Sequence, residues 1–315
     1  MIRVAVAGAG AFGREHARVY FESEAAQLVA VCDIDESRGR TLAERYGAAF
    51  VTDHRVLIGL VDAVSVAVPT ESHAAIATDL LNAGIAVLVE KPIARSLDEA
   101  DLIIDAAARS GAVLQIGHLE RFNPAVTAAA RIATHPRFFE AHRLSIFTPR
   151  SLDIDVVMDL MIHDLDVVLS LVDSEAVEVR AAGVPILTPK IDIANARIEF
   201  ANGSIANLTA SRVSAERVRR LRFFQPGQYV SIDYAVQEAA IVSVQPRPEG
   251  RPEFESRVLP VESAEPLRVE IEAFLASVAG GPVRVSGAEG RRALALAIDV
   301  TDRIREHASR VAVPL

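Results

Sequence analysis

Four groups of residues in this sequence have types and spacings that suit chemistry. The run 8–13, Gly-Ala-Gly-Ala-Phe-Gly, has the G-x-G-x-x-G spacing of a dinucleotide-binding loop. Lys91 stands alone between Glu and Pro, and Asp159 and His163 are four residues apart in an apolar stretch. The range 217–222 contains four arginines. Glycines can let a phosphate approach the backbone, lysine, aspartate and histidine can transfer protons, and arginines can bind an anion.

The glycine-rich run follows an apolar strand pattern and opens a helix pattern, which is the context that a dinucleotide site requires. Gly8 would permit the tight turn, Gly10 would let the backbone approach a pyrophosphate, and Gly13 would let helix and strand pack closely. The helix N-terminus would offer N–H groups to the anion. We therefore predict that Ala11 and Phe12 also contact the cofactor. The alternative is an ordinary glycine turn.

An acidic residue stands where the second strand ends, 20 residues beyond Gly13. This residue, Asp33, can hydrogen-bond both ribose hydroxyls of an adenosine and would repel a 2′-phosphate, which favours NAD over NADP. Arg38 keeps NADP as an alternative cofactor. We include Ile34 and Arg38 with Asp33 in the predicted cofactor site, although an exposed strand-end aspartate is the simpler interpretation.

Polar residues follow two further strands. In an open parallel sheet, ligands bind beyond the carboxyl ends of the strands. We predict that Pro69, Thr70, His73, Glu90 and Lys91 help to hold the nicotinamide half of the cofactor. Lys91 is also placed to donate to a substrate hydroxyl and to stabilise the alkoxide as it forms. An ordinary solvated lysine is the alternative.

The stretch 156–172 is apolar almost all round, which predicts a buried helix. Asp155, Asp159, His163 and Asp166 recur in it at spacings of four, four and three, so they share one face. Asp159 can hydrogen-bond His163, fix its ring tautomer and favour its charged form. A satisfied core pair is the alternative. A metal is not expected, because the motif has no third ligand.

The arginine-rich stretch reads as a strand. Alternation puts Arg220 and Arg222 on one face and Arg217 and Arg219 on the other. Capture of a substrate phosphate is one interpretation, since arginine forks onto phosphate well. A solvated or subunit-facing strand is the other.

The first 117 or so residues alternate strand and helix patterns, which predicts a doubly wound parallel sheet of the Rossmann type. The expected strands are 2–7, 28–33, 48–51, 63–68, 86–90 and 113–117, and the expected helices are 13–24, 36–46, 72–83 and 97–110. This first, dinucleotide-binding domain is predicted to cover residues 1–120.

After residue 120 the pattern changes to strand after strand between about 176 and 244, with helices near 124, 156–172, 267–279 and 287–308. Segregated strands and helices predict an α+β domain with an open, mostly antiparallel sheet over residues 121–315. Arg121 and Asn123 lie where the first domain leads into the second, so we predict that both contact the substrate.

Composition limits the classes of function. The chain has 315 residues, a net charge of −9 and only 5% aromatic residues, which argues against nucleic acid as a partner. Cys32 is the single cysteine, so neither a disulfide nor a cysteine-rich zinc site is expected. No apolar run has membrane-spanning length, and we expect no leader peptide, because residues 2–7 already have a strand pattern. We therefore expect a cytoplasmic protein.

The chain resembles the Gfo/Idh/MocA family of NAD(P)-dependent oxidoreductases. The resemblance rests on the glycine run, on Pro69-Thr70 with His73, on Glu90-Lys91-Pro92 and on Asp159-x-x-x-His163. It implies a Rossmann domain plus an open-sheet domain, catalytic roles for Lys91 and His163 with Asp159 beside them, and homodimers or homotetramers formed through the second sheet.

Within that family, residues 117–124 and 155–166 are similar to the UDP-N-acetylglucosamine 3-dehydrogenases, which implies oxidation of a sugar hydroxyl in a substrate held by Lys91, Arg121, Asn123, Asp159 and His163. Two alternatives remain: a dehydrogenase of a free polyol or hexose, and an NAD-binding regulatory protein without activity. Bulky residues in 157–162, where many hexose and inositol enzymes have glycines, disfavour a free sugar.

Overall fold

The computed structural model describes residues 1–148, 154–245 and 251–311, which form two compact units. The first unit consists of Met1–Leu119 together with Glu265–Leu294. The second consists of Glu120–Ala264 and the chain from Ala295 onward. Within the described ranges, no helix is long and apolar enough to cross a membrane.

The first unit is built on a six-stranded sheet in which every pair of neighbouring strands is parallel. The strand order is β3-β2-β1-β4-β5-β6, the order of dinucleotide-binding sheets. The strands are β1 Ile2–Ala7, β2 Ala26–Cys32, β3 Ala49–Val51, β4 Ala63–Val66, β5 Ala86–Glu90 and β6 Leu114–Gly117. The predicted doubly wound sheet is confirmed.

Helices join these strands, as the alternating pattern predicted. They are α1 Ala11–Glu22, α2 Glu36–Tyr46, α3 His73–Asn82 and α4 Leu97–Ser110. The last four residues of β1 and all residues of β4 and β5 are buried, which explains why these strands consist mainly of valine, alanine and leucine.

The structure differs from the single predicted boundary at residue 120. The first boundary falls at 119/120, but residues 265–294 return to the first unit. Helix α7, Pro266–Val278, buries Leu267, Ile271 and Phe274 in the core that also holds Val19 and Tyr20 of α1. The apolar face of α7 covers α1, and a pattern read along the chain does not show such a distant partner.

The second unit contains an eight-stranded sheet of order β14-β13-β12-β11-β7-β10-β9-β8. Its strands are β7 Phe138–Leu144, β8 Ala176–Val184, β9 Ile193–Phe200, β10 Ile205–Ser211, β11 Val218–Gln225, β12 Gln228–Asp233, β13 Glu238–Gln245 and β14 Glu253–Val258. All neighbouring pairs are antiparallel except β7 with β10. The predicted α+β fold is confirmed.

In the described part of this unit, the sheet is accompanied by helices α5 Pro124–Ala130, α6 Ile162–Val172 and the C-terminal part of α8, Gly287–Val311. A π-helical turn, Val157–Met161, precedes α6. Strand β7 contacts α6, and its inner face buries Phe139, Ala141 and Arg143. Arg143 is therefore a cation in an otherwise apolar row.

The Arg143 guanidinium is held by two carboxylates. Its Nε and Nη2 donate to Asp164 at 2.7 and 3.0 Å, and its Nη1 donates to Glu120 Oε1 at 2.9 Å. Its remaining face lies over the ring of Tyr234, 5.0 Å from the centroid. Burial by itself would lower the pKa of Arg143, but Asp164 and Glu120 raise it overall. The network ties α6 to β7 and to the turn that contains Glu120.

Replacing Asp164 by Asn should destabilise the protein by about 3 kcal/mol, because removal of one partner leaves a buried charge undercompensated. Urea denaturation measures the loss. The matched control is Asp233→Asn, which weakens the 2.8 Å pair with the exposed Arg220 and should cost less than about 1 kcal/mol. Equal losses in the two variants would contradict the role of the Arg143 network.

Candidate functional site

The glycine-rich loop of the first unit has the geometry that a dinucleotide requires. Gly8 has φ = 100°, and a Cβ there would lie 2.3 Å from the Ala67 carbonyl oxygen. A Cβ on Gly13 would lie 1.7 Å from the Gly8 carbonyl oxygen, whereas a Cβ on Gly10 would have no atom within 4 Å. Gly8 and Gly13 thus serve the turn and the packing, and the space at Gly10 fits a pyrophosphate at the start of α1.

Asp33 connects this loop to the end of β2. Its Oδ2 accepts the Ala9 N–H at 2.6 Å, its Oδ1 accepts the Asp35 N–H at 2.8 Å, and both oxygens pair with Arg38 at about 3 Å. Burial alone would raise the pKa of Asp33, but the hydrogen bonds from Arg38 and from the two amides lower it overall. Asp33 is therefore an ionised acceptor beside the glycine loop.

A cavity of about 440 Å³ opens next to these residues. Gly8, Gly10, Asp33 and Arg38 line it, together with Pro69 and other residues of the loop after β4. Ile34 is 90% exposed and also lines the cavity, so it offers an apolar surface to a flat ring. The adenosine half of a dinucleotide fits these walls, and contact by Ala11, Phe12 and Thr70 stays a prediction.

His73 holds together two loops at this end of the sheet. Its Nδ1 lies 3.0 Å from the Pro92 carbonyl oxygen, and its Nε2 lies 3.0 Å from the Val68 carbonyl oxygen. Burial lowers the pKa of His73, so the neutral ring donates to one of the two carbonyls. These contacts give His73 a positioning role, and its direct contact with a cofactor stays a prediction.

Lys91 directly follows β5, at the carboxyl end of the parallel sheet. Its peptide bond to Pro92 is cis, and its backbone N–H lies 3.3 Å from Glu90 Oε2. The chain has only two lysines, Lys91 and Lys190, among 33 basic residues. This placement supports Lys91 as a functional residue, since the chain uses arginine almost everywhere else.

Sequence reasoning missed a series of hydrogen-bonded, buried side chains that ends at Glu90, the residue before Lys91. Tyr20 Oη lies 2.7 Å from Ser65 Oγ, which lies 3.0 Å from His16 Nδ1. His16 Nε2 lies 2.9 Å from Glu90 Oε1, so both ring nitrogens are engaged. The available signal was a histidine on the buried face of α1, three residues after Gly13. These hydrogen bonds hold the Glu90 carboxylate beside the backbone N–H of Lys91.

Glu270 of α7 approaches the same place. It is fully buried, neither of its carboxylate oxygens has a hydrogen-bond partner among the described residues, and its carboxylate lies within 4.8 Å of ligand atoms of His16 and Glu90. Burial, with the nearby charge of Glu90, raises the pKa of Glu270 well above its usual value. Such a trio has the composition of a metal site, so the predicted absence of a metal remains untested.

Replacing Glu270 by Gln should stabilise the protein at neutral pH. Below about pH 4.5, the ordinary glutamate value, the carboxyl is protonated in both states. Above it the unfolded chain ionises while the folded one retains its proton, so wild-type stability falls as pH rises. Thermal melts across pH should show Glu270→Gln gaining on wild type from that point upward. The control is Glu272→Gln, at an exposed position two residues along α7, whose melting temperature should follow that of wild type across pH. If the melting temperatures of Glu270→Gln and wild type also keep a constant difference across pH, the raised pKa of Glu270 is contradicted.

In the second unit, the predicted helix over 156–172 begins as a π-turn. Asp155 accepts the N–H groups of Val157 and Met158 at 2.9 and 3.0 Å, so it caps the turn. Asp159 lies within the π-turn and His163 in the first turn of α6, and both are partly buried. A π-turn adds a residue to one hydrogen-bonded ring. Residues four positions apart across this turn are therefore rotated relative to one another, and the assumption that they share one helix face does not carry over to Asp159.

The acidic stripe divides into separate roles. Asp166 is buried and lies 3.5 Å from Arg121 Nη1. Asp159 lines a cavity of about 610 Å³ that belongs to the second unit. Asp164, which the sequence analysis did not single out, pairs with Arg143. Within this stripe, Asp159 is therefore placed on a cavity wall, whereas Asp155 caps the π-turn and Asp166 pairs with Arg121.

Asn123 serves the fold. It is 2% exposed; its Oδ1 accepts the Ala125 N–H at 3.0 Å and caps α5. Its Nδ2 donates to the Tyr234 carbonyl oxygen at 3.1 Å and to Glu120 at 3.3 Å. These bonds occupy its amide group, so the predicted substrate contact of Asn123 finds no support in its surroundings.

Family models match both parts of the chain. Residues 2–118 match the oxidoreductase family with an NAD-binding Rossmann fold, and residues 128–225 match the GFO/IDH/MocA C-terminal domain. The chain is 40% identical to a UDP-N-acetylglucosamine 3-dehydrogenase of Acidithiobacillus ferrooxidans, over 95% of this chain and 96% of the relative. It is 31% identical to an inositol 2-dehydrogenase of Rubrobacter xylanophilus, over 68% and 65%.

Solved structures give the same result. The structure of the Acidithiobacillus ferrooxidans enzyme superposes with a TM-score of 0.90, covering 96% of this chain and 97% of the other at 39% identity. A levoglucosan dehydrogenase in complex with NADH and levoglucosan shares the fold, with a TM-score of 0.85 and 97% of each chain covered at 20% identity. The chain therefore belongs to the Gfo/Idh/MocA family of NAD-binding oxidoreductases.

Proposed function

We propose that this protein oxidises the 3-hydroxyl of UDP-N-acetylglucosamine, or of a closely related nucleotide sugar, with NAD as the hydride acceptor. The observation that carries the proposal is the 40% identity over 95% of the chain to a relative of that name. Lys91, Asp159 and His163 are present in this sequence, which favours an active enzyme over an NAD-binding regulatory protein.

Each of the three residues has a distinct role in the proposed reaction. His163 takes the proton of the sugar hydroxyl as general base, and Asp159 orients its ring. Lys91 donates a hydrogen bond to the same oxygen and stabilises the negative charge that develops there. Bound NAD supplies the hydride acceptor. The positive charge of Lys91 thus balances the negative charge that the oxygen acquires as its proton moves to His163.

The surroundings of Asp33 support NAD over NADP. The carboxylate is ionised and lies beside the glycine loop, where it would accept from ribose hydroxyls and repel a 2′-phosphate. Arg38 already pairs with Asp33 and is about half exposed. NADP would need Arg38 to leave this pair, so we propose NAD as the better cofactor.

A free polyol or hexose is the second candidate substrate, because an inositol 2-dehydrogenase is also a relative. The walls of the second-unit cavity disfavour it. They contain Arg217 and Arg219, whose positive charges a neutral sugar has no charge to match. A single buried cysteine, Cys32, fits a reducing compartment, and we propose a cytoplasmic location.

Lys91→Met and His163→Asn should each lower kcat by roughly 10²- to 10⁴-fold, because each removes a group acting on the reacting hydroxyl. The measurement is the rate of NADH formation with UDP-N-acetylglucosamine. Lys190→Met, at the only other lysine and exposed to solvent, is the control and should keep wild-type rates. Full activity in either of the first two variants would refute the mechanism, and turnover of inositol alone would select the second candidate.

We also propose a homo-oligomer formed through the outer face of the eight-stranded sheet, on which Phe138, Phe224 and Tyr229 form an aromatic cluster. The ring centroids of Phe224 lie 5.9 Å from Phe138 and 5.0 Å from Tyr229. Phe224 is 37% exposed. Partly exposed aromatic clusters are common in subunit interfaces.

Phe224→Glu should shift the oligomer toward monomer, because a buried carboxylate in an apolar interface has no partner. Light scattering coupled to size exclusion gives the mass. Phe21→Glu, an exposed phenylalanine of α1 in the first unit, should leave the mass unchanged. An unaltered mass for Phe224→Glu would exclude this face as the interface.

A further inference from the structure

The four arginines of 217–222 divide into two chemically different pairs. Arg220 and Arg222 lie on the outer face of β11, where Arg220 Nε donates to Asp233 at 2.8 Å and Arg222 lies 4.0 Å from Glu140. Both are therefore partly neutralised by acids of neighbouring strands. Arg219 lies on the opposite, inner face, in register with Arg143 of β7.

The inner row of β11 is apolar until it reaches Arg219. Phe223 and Leu221 are fully buried, and Arg219 is the next residue on that face. Arg219 is itself exposed, and it lines the cavity of about 610 Å³ that also contains Asp159. The row thus ends in a cation at the cavity wall.

Arg217 and Arg219 make no ion pair within the described parts of the chain, which sets them apart from Arg220 and Arg222. Although Arg219 is exposed as a residue, the protein atoms packed around its guanidinium lower its pKa, as do the like charges of Arg143 and Arg217, whereas Glu120 and Asp164 act in the opposite direction. Arg217 and Arg219, neither of which makes an ion pair in the described ranges, place two guanidiniums on the wall of this cavity in a protein of net charge −9. An anion with at least two charges would balance these two positive charges.

The other polar groups of the cavity suit the same ligand. Ser145 and Thr148 contribute hydroxyls that can donate to phosphate oxygens. Arginine binds phosphate through two parallel N–H donors, a geometry that a hydroxylated neutral sugar does not match. Asp159 lines the same cavity, so a ligand with a sugar near Asp159 and a diphosphate near the arginines spans it.

We propose that Arg217 and Arg219 bind the diphosphate of a nucleoside-diphosphate sugar and thereby select nucleotide-linked substrates over free sugars. The inference rests on the proposed function for the identity of the sugar. The diphosphate site itself is defined by the residues of the second-unit cavity.

The test compares Arg217 and Arg219, which line the cavity, with Arg222 on the outer face of β11. Arg219→Ala and Arg217→Ala should each raise KM for UDP-N-acetylglucosamine by roughly 10- to 100-fold with kcat changed much less, the range expected when a charged hydrogen bond to a substrate is lost. Arg222→Ala is the control and should retain the wild-type KM. Thermal melts of all three variants establish that they are folded.

Ligand binding gives a readout that does not require turnover. Calorimetric titration should show that wild type binds UDP more tightly than uridine, and that Arg219→Ala loses most of this difference while Arg222→Ala keeps it. Arg219→Lys should restore part of it, since lysine keeps the charge without the fork.

The outcomes separate the two proposals. Normal turnover by wild type with an unchanged KM in Arg219→Ala overturns the diphosphate site and leaves the proposed function standing. UDP binding that depends on Arg219, without turnover of the nucleotide sugar, supports the site and overturns the proposed reaction. Equal affinity of folded wild type for UDP and uridine overturns the diphosphate site.

Discussion

The candidate chemistry of the second unit depends on one buried cation. Arg143 stands in the apolar inner face of β7 and binds Asp164 of α6 and Glu120 of the preceding turn. Since a buried guanidinium without its carboxylates is strongly destabilising, α6 has one favourable position against the sheet. Asp159 lies in the π-turn that leads into α6 and His163 lies in the first turn of α6, so their placement follows from the pairing of Arg143.

The sequence was sufficient to predict the features that are local. Strands β1 and β5, helices α2 and α4, and the roles of Gly8 and Gly13 in the turn agree with the structure because each depends on neighbouring residues. Long-range pairings were not predictable in this way. Arg143 pairs with Asp164, which is 21 residues further along the chain. The carboxylate of Glu270 lies within 4.8 Å of a ring nitrogen of His16, although the two residues are far apart in the sequence.

Residue type alone also did not separate structural from functional polar groups. Asn123 and His73 were predicted as ligand contacts, yet their side chains are engaged with backbone groups of their own unit. Arg217, just before β11, and Arg219 line a cavity, whereas Arg220 and Arg222 face acids of neighbouring strands. A polar side chain is free to bind a ligand only if other residues of the protein do not already occupy its hydrogen-bonding groups. Its neighbours in the folded structure must be known to decide this.

The return of residues 265–294 to the first unit has a consequence for biosynthesis. Leu267, Ile271 and Phe274 complete the core beside α1, and Gly290 packs so closely on Ile116 that a Cβ there would lie 2.8 Å from it. A ribosome releases the N-terminal sheet long before it releases these residues, although domains commonly fold as they emerge. The apolar surface that these residues cover must therefore stay exposed until residues 265–294 have also been made.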